Sequence, residues 1–137
     1  MDSTTLMETI RRAVEPHTPR MASLYLFGSR ARGEADAKSD VDLGVLYREE
    51  PRSSLEGLGL DIADAVTEAT GLEADVVVLN RAPPDLVHRV LRDGILVLET
   101  DRSARIGFEV RSRAEYLDLL PYLREYRRAS ASHHDRP

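Results

Sequence analysis

"FGSRARGEADAKSDVDLGVLY", residues 27–47, is the stretch on which the reading of this chain turns. A short run of aromatic and aliphatic residues, "SLYLF" (23–27), stops at Gly28, and "VDLGVLY" (41–47) alternates in the manner of a strand. Between them, Gly28-Ser29 turns the chain into a short helix or loop over "RARGEA". Alternation puts Asp40 and Asp42 on one side of the second strand and Val41 and Leu43 on the other. Their Cα atoms are then roughly 6 to 7 Å apart, a spacing from which two carboxylates reach a single hard cation. Without one they repel, and at least one of them resists ionisation. Magnesium resolves that conflict, because it takes oxygen ligands and is held by one or two carboxylates together with substrate phosphates.

The turn supplies the complementary half. Gly28 lets a triphosphate approach the backbone, Ser29 offers a hydroxyl and an N–H, and a helix start favours anions. Arg30 and Arg32 lie close enough in sequence to neutralise phosphate charge. A third acid, Asp75, opens the next apolar run, "ADVVVLN" (74–80). If that run is a strand beside the one bearing Asp42, three carboxylates surround a space for two metal ions about 3.5 to 4 Å apart, the arrangement that clamps attacking and leaving oxygens. Glu73 shares the strand face and competes with Asp75, which is preferred because it abuts the apolar run.

Outward from this centre, Leu6, Met7, Ile10 and Val14 recur at helical spacing, and the pattern stops before "PHTP". Residues 52–71 carry the same period and end at Gly71. "PPDLVHRVLRDG" (83–94) begins with prolines and ends in glycine, "ILVLE" (95–99) reads as a fourth strand, and helix is expected from about Ser103 to Arg128 with Pro121 bending it or starting a fresh turn. The expected fold is therefore α/β (α+β): one central mixed sheet of about four strands, flanked by helices. A single domain over residues 1–128 and a flexible tail over 129–137 complete the expected organisation.

At 137 residues the chain has room for one core and no separate substrate domain. It contains no cysteine, which removes disulfides, thiolate zinc sites and cysteine nucleophiles together. The net charge of −5 argues against general nucleic-acid binding. The N-terminal segment lacks the basic and apolar regions of a signal peptide, and the longest aliphatic runs are far short of a membrane span, so a soluble cytoplasmic protein is expected.

Gly-Ser, ten residues, then Asp-x-Asp resembles the signature of the polymerase β-like nucleotidyltransferases, and the small size is similar to their minimal branch. The resemblance covers roughly residues 21–100 and a C-terminal helix. It implies that Asp40, Asp42 and Asp75 are the catalytic and metal-binding residues, that Gly28, Ser29, Arg30 and Ser39 bind the nucleotide, and that two Mg2+ ions act with ATP as substrate. It further implies an antitoxin paired with a HEPN-domain RNase toxin, to whose tyrosine hydroxyl AMP is transferred. Two rival readings are a non-catalytic antitoxin that neutralises its partner by occlusion, and a nucleotidyltransferase acting on a small molecule, for which this chain lacks the extra domain.

Other conspicuous residues have plainer explanations. His88 falls in an amphipathic helix and is expected to pack there or face solvent. His133 and His134 fall in the tail, where "RASASH" (128–133) matches the short Arg-x4-His pattern of HEPN RNases by coincidence. The stripe of Phe108, Tyr116, Leu117, Leu120, Tyr122, Leu123 and Tyr126 is large for so small a core, and part of it is expected to face a partner.

Overall fold

The computed structural model describes residues 2–51 and 59–134, with side chains through residue 130. The first helix, α1 (Ser3–Val14), starts where Asp2 accepts a hydrogen bond from the Thr5 N–H at 2.7 Å. It buries Leu6, Ile10 and Val14, spaced four apart. A 3-10 turn over Glu15–Arg20 follows, and strand β1 (Met21–Phe27) begins two residues earlier than "SLYLF" suggests. Then come the four-residue helix α2 (Ser29–Arg32), β2 (Val41–Tyr47), α3 (Leu60–Thr70), β3 (Ala74–Val78), α4 (Pro84–Asp93), β4 (Ile95–Glu99) and α5 (Arg102–His134). The first part of the helix expected over 52–71 falls on residues 52–58, outside the described residues.

The strands form one mixed sheet in the order β3-β2-β1-β4. β1 is antiparallel to β2 and β4, while β2 and β3 run parallel with α3 as the crossover. Both faces are covered. On one, Leu24, Leu26, Leu43 and Val45 pack with Leu6, Ile10, Ile62 and Val66 of α1 and α3. On the other, Tyr25 and Leu46 pack with Val87 and Val90 of α4, and Phe108 of α5 lies against them. Gly44 leaves room for this second layer: a Cβ there would lie 3.1 Å from Val90 and 3.3 Å from Leu79.

Two boundaries differ from the sequence reading. β3 stops at Val78 instead of Asn80, because the Asn80 carboxamide turns back and takes both backbone groups of Tyr47, accepting its N–H at 2.9 Å and donating to its C=O at 3.0 Å. Leu79–Arg81 is a 3-10 turn. The backbone of α5 runs through Pro121 and past Arg128 to His134. Proline removes one N–H from the ladder, and on an exposed helix water can satisfy the carbonyl left over.

α5 is fastened to the sheet by polar contacts. The Tyr25 hydroxyl donates to Glu109 at 2.6 Å, and Arg105 bridges Glu109 (3.1 Å) and Glu99 (2.9 Å). Further along, the His88 and Tyr116 rings stack with centroids 3.7 Å apart, so His88 is a packing residue. Of the stripe expected to face a partner, Phe108 joins the core and Tyr116 the stack, whereas Leu117, Tyr122 and Tyr126 stand exposed. Among the described residues no helix is long and apolar enough to cross a membrane.

Candidate active site

The site lies at one end of the sheet, where β1 leaves it and β2 and β3 enter. Phe27, the last residue of β1, is opposite Asp42 of β2, so the turn at Gly28 comes directly beside that carboxylate. Gly28 has φ 75° and ψ −157°, a conformation closed to residues with a side chain. A Cβ at this position would also overlap Asp42 Oδ2 and come within 3.1 Å of its Cγ. The glycine is thus required twice, for its own backbone and for the space the carboxylate occupies.

After Gly28, the chain enters α2, where Ala31 and Arg32 donate backbone N–H groups to the Gly28 carbonyl at 3.2 Å each. The N–H groups of the first helical residues, Ser29 and Arg30, have no acceptor within the helix and are available to an anion. The loop to β2 is built around Asp36, whose carboxylate accepts from the Lys38 N–H at 2.8 Å. The Ser39 hydroxyl accepts from the Asp36 N–H at 3.0 Å. Arg30 clamps the loop, its Nε and Nη2 both donating to the Ser39 carbonyl at 2.9 and 2.8 Å. In this structure Arg30 and the Ser39 side chain therefore hold the loop that delivers Asp40, whereas Gly28 lies against the Asp42 carboxylate and Ser29 begins α2.

The parallel pairing of β2 with β3 brings two of the three predicted acids together. Asp42 and Asp75 are register partners, and the Val41 N–H donates to the Glu73 carbonyl at 2.8 Å, fixing the alignment where the strands begin. Both project on the α4 side, since Asp42 shares its strand face with Gly44 and Leu46, and Asp75 with Val77. Asp42 is half-buried, Asp75 is exposed at the sheet edge, and Asp40 is exposed just before β2. Glu73 precedes β3 and lacks that register position, so Asp75 is the better placed of the two competing acids.

Burial raises the Asp42 carboxyl above its ordinary value, and the neighbouring Asp75 and Asp40 charges raise it further, against a smaller opposing pull from Arg32. The Asp40 and Asp75 charges thus both bear on Asp42, and carboxylate oxygens are the donors that Mg2+ takes. Among the described residues no three side chains are drawn in close enough to form a ready-made ion cage. Asp40, Asp42 and Asp75 are an open, mutually repelling set of oxygen donors at this end of the sheet.

Two further residues act on this end of the sheet, one anticipated from the motif and one not. Arg32, at the end of α2, acts electrostatically on both Asp42 and Asp93. Asp93, the last residue of α4, is held by Arg92 through two contacts of 2.9 Å. Arg32 had a sequence signal in its nearness to Gly-Ser; Asp93 had none, because only the packing of α4 brings it to this end of the sheet.

Residues 8–103 match the family described as Polymerase beta, Nucleotidyltransferase. A protein adenylyltransferase MntA of Aphanizomenon flos-aquae (strain 2012/KM1/D3) is 34% identical over 90 residues, which span 59% of this chain and 59% of that protein. Among solved structures, a chain from a toxin-antitoxin with AMP-PNP superposes with a TM-score of 0.71 at 23% identity, covering 93% of this chain and 96% of that one. A chain from a complex of tri-AMPylated Shewanella oneidensis HEPN toxin with MNT antitoxin gives 0.68 at 21% identity, covering 95% and 96%. At such identities the two structures speak to the fold.

Proposed function

The chain belongs to the Polymerase beta, Nucleotidyltransferase family, and from that membership we propose that it transfers AMP from ATP to a tyrosine hydroxyl of a HEPN-domain RNase toxin, acting as its antitoxin. The observation that carries the proposal is the pairing of Asp42 with Asp75 on parallel strands, with the Asp42 carboxylate seated against the Gly28 turn. The adenylyltransferase it resembles, and the resemblance to structures with AMP-PNP and with a tri-AMPylated HEPN toxin, support the same assignment.

In this proposal Asp40, Asp42 and Asp75 hold two Mg2+ ions, which when bound would neutralise the triphosphate and make the acceptor hydroxyl more acidic. Gly28 admits the phosphates to the backbone, and the Ser29 hydroxyl and first N–H groups of α2 hold them in place. Arg32 adds positive charge beside Asp42, and Arg30 acts through the loop whose Ser39 carbonyl it grips. In this reading Asp75, on the outer strand, is the acid nearest the incoming hydroxyl. Arrangement and charge placement account for such catalysis without a covalent enzyme intermediate. The exposed part of α5, with Leu117, Tyr122 and Tyr126, provides the surface on which the toxin docks.

That projecting surface also supports a second reading, neutralisation by occlusion alone. Incubation of the chain with α-labelled ATP, Mg2+ and a HEPN toxin separates the two. Label on a toxin tyrosine that vanishes with Asp42→Asn is the expected result. Toxin inhibition that persists in Asp42→Asn, with no label transferred by the unaltered chain, would establish occlusion.

A further inference from the structure

The chain's tyrosines differ sharply in access. Tyr25 and Tyr47 are buried, and Tyr116 lies flat on His88. Tyr122 and Tyr126 are 70% and 72% exposed, and their four-residue spacing places both on one face of α5. Arg124, Arg127 and Arg128 are exposed around them, with Glu125 the one acid between Tyr122 and Arg128. The end of the sheet described above carries the opposite charge, with Asp40, Asp42, Asp75 and Asp93 beside Arg32.

Both phenols lie beyond the part of α5 that packs on its own chain. Tyr116 stacks on α4, and at 1.5 Å per residue Tyr122 and Tyr126 lie roughly 9 and 15 Å further along the helix axis. A straight helix presents them outward, to another molecule. Resting on the nucleotidyl-transfer reading, we infer that Tyr122 and Tyr126 are themselves AMP acceptors, modified in trans by a second copy of the chain. The tyrosine oxygen forms a bond to the α-phosphorus of ATP, and the bond from that phosphorus to the α–β bridging oxygen breaks. Pyrophosphate leaves with the bonding electrons, and the phenolic proton passes to solvent. The product is an aryl phosphodiester, so the step needs no redox partner. It places a nucleotide on the exposed face of α5, so a docked toxin and self-modification exclude each other.

The test uses the full chain with α-labelled ATP and Mg2+, read by intact mass and peptide mapping, with AMP-PNP binding followed in parallel by thermal shift. The expected result is AMP on the peptide bearing Tyr122 and Tyr126, lost in the Tyr122→Phe/Tyr126→Phe double variant while AMP-PNP still binds. A tagged Asp42→Asn chain should acquire label only when the unaltered chain is added. AMP-PNP binding without label, or label that survives the double variant, overturns the inference and leaves nucleotidyl transfer standing. Label confined to the unaltered chain in the mixture overturns modification in trans. Absence of both binding and label overturns the inference together with the reading beneath it.

Discussion

Replacing Gly28 by alanine tests the most constrained point of the site. At φ 75° and ψ −157° a side chain costs about 2 kcal/mol in backbone strain. For a chain of this length that lowers Tm by roughly 6–10 °C. The added methyl would also meet Asp42, whose Oδ2 it overlaps and whose Cγ and Cβ lie 3.1 and 3.3 Å from it. The carboxylate is the mobile partner, so relief comes from swinging it out of the site. Gly33 is an internal control: its φ is 74° and ψ 17°, and nothing lies within 4 Å of a Cβ there. Gly33→Ala pays only the left-handed penalty of about 1 kcal/mol, roughly 3–5 °C in Tm. The assay is thermal unfolding of both variants with and without Mg2+ and AMP-PNP. Gly28→Ala should lose the larger share of stability and the ligand-induced rise in Tm, while Gly33→Ala keeps that rise. Equal losses, or ligand stabilisation preserved in Gly28→Ala, would refute the close approach of turn and carboxylate.

The Asp42 carboxyl is raised in the folded state, so ionising it opposes folding; its contribution is most favourable at low pH and falls away as pH rises through the folded value. Asp42→Asn should therefore be at least as stable as the unaltered chain at neutral pH without Mg2+, yet inactive, as melting curves and label transfer would report. Tyr25 is raised by burial and then by its bond to Glu109, so its stabilising contribution is intact below the ordinary tyrosine value near 10 and is lost as pH climbs above it. Tyr25→Phe should cost about 1–3 kcal/mol in chemical denaturation at neutral pH and flatten the alkaline decline. Arg30→Gln removes both guanidinium bonds to the Ser39 carbonyl and should weaken AMP-PNP binding by loosening the loop, an effect visible as faster amide exchange over residues 36–40.

Much of this site is legible in the sequence because its parts are local. The alternation of "VDLGVLY" places Asp42 opposite Val41 and Leu43, and the break at Gly28-Ser29 marks the turn into α2, with no need of distant contacts. The features that the sequence leaves conditional or misses are those set by pairing across the chain. That Asp75 sits opposite Asp42 depends on the register of β3, established by the α3 crossover and the bond from Val41 to Glu73. Asn80 reads as strand, yet its carboxamide has a competing partner in the Tyr47 backbone. Arg30 reads as a phosphate ligand by position, and its nearest acceptor is a loop carbonyl nine residues on. Pro121 suggests an interruption, but the exposed helix around it tolerates one missing bond.

The account stands or falls on whether the three aspartates gather a divalent cation beside the glycine turn. Anomalous scattering from a crystal grown with Mn2+ and AMP-PNP measures this directly. The predicted result is an ion bonded to carboxylate oxygens of both Asp42 and Asp40, Asp75 within reach of the same centre, and the triphosphate lying against Gly28 and Ser29. A bound nucleotide whose metal is held elsewhere, with Asp42 and Asp75 turned apart, would contradict it.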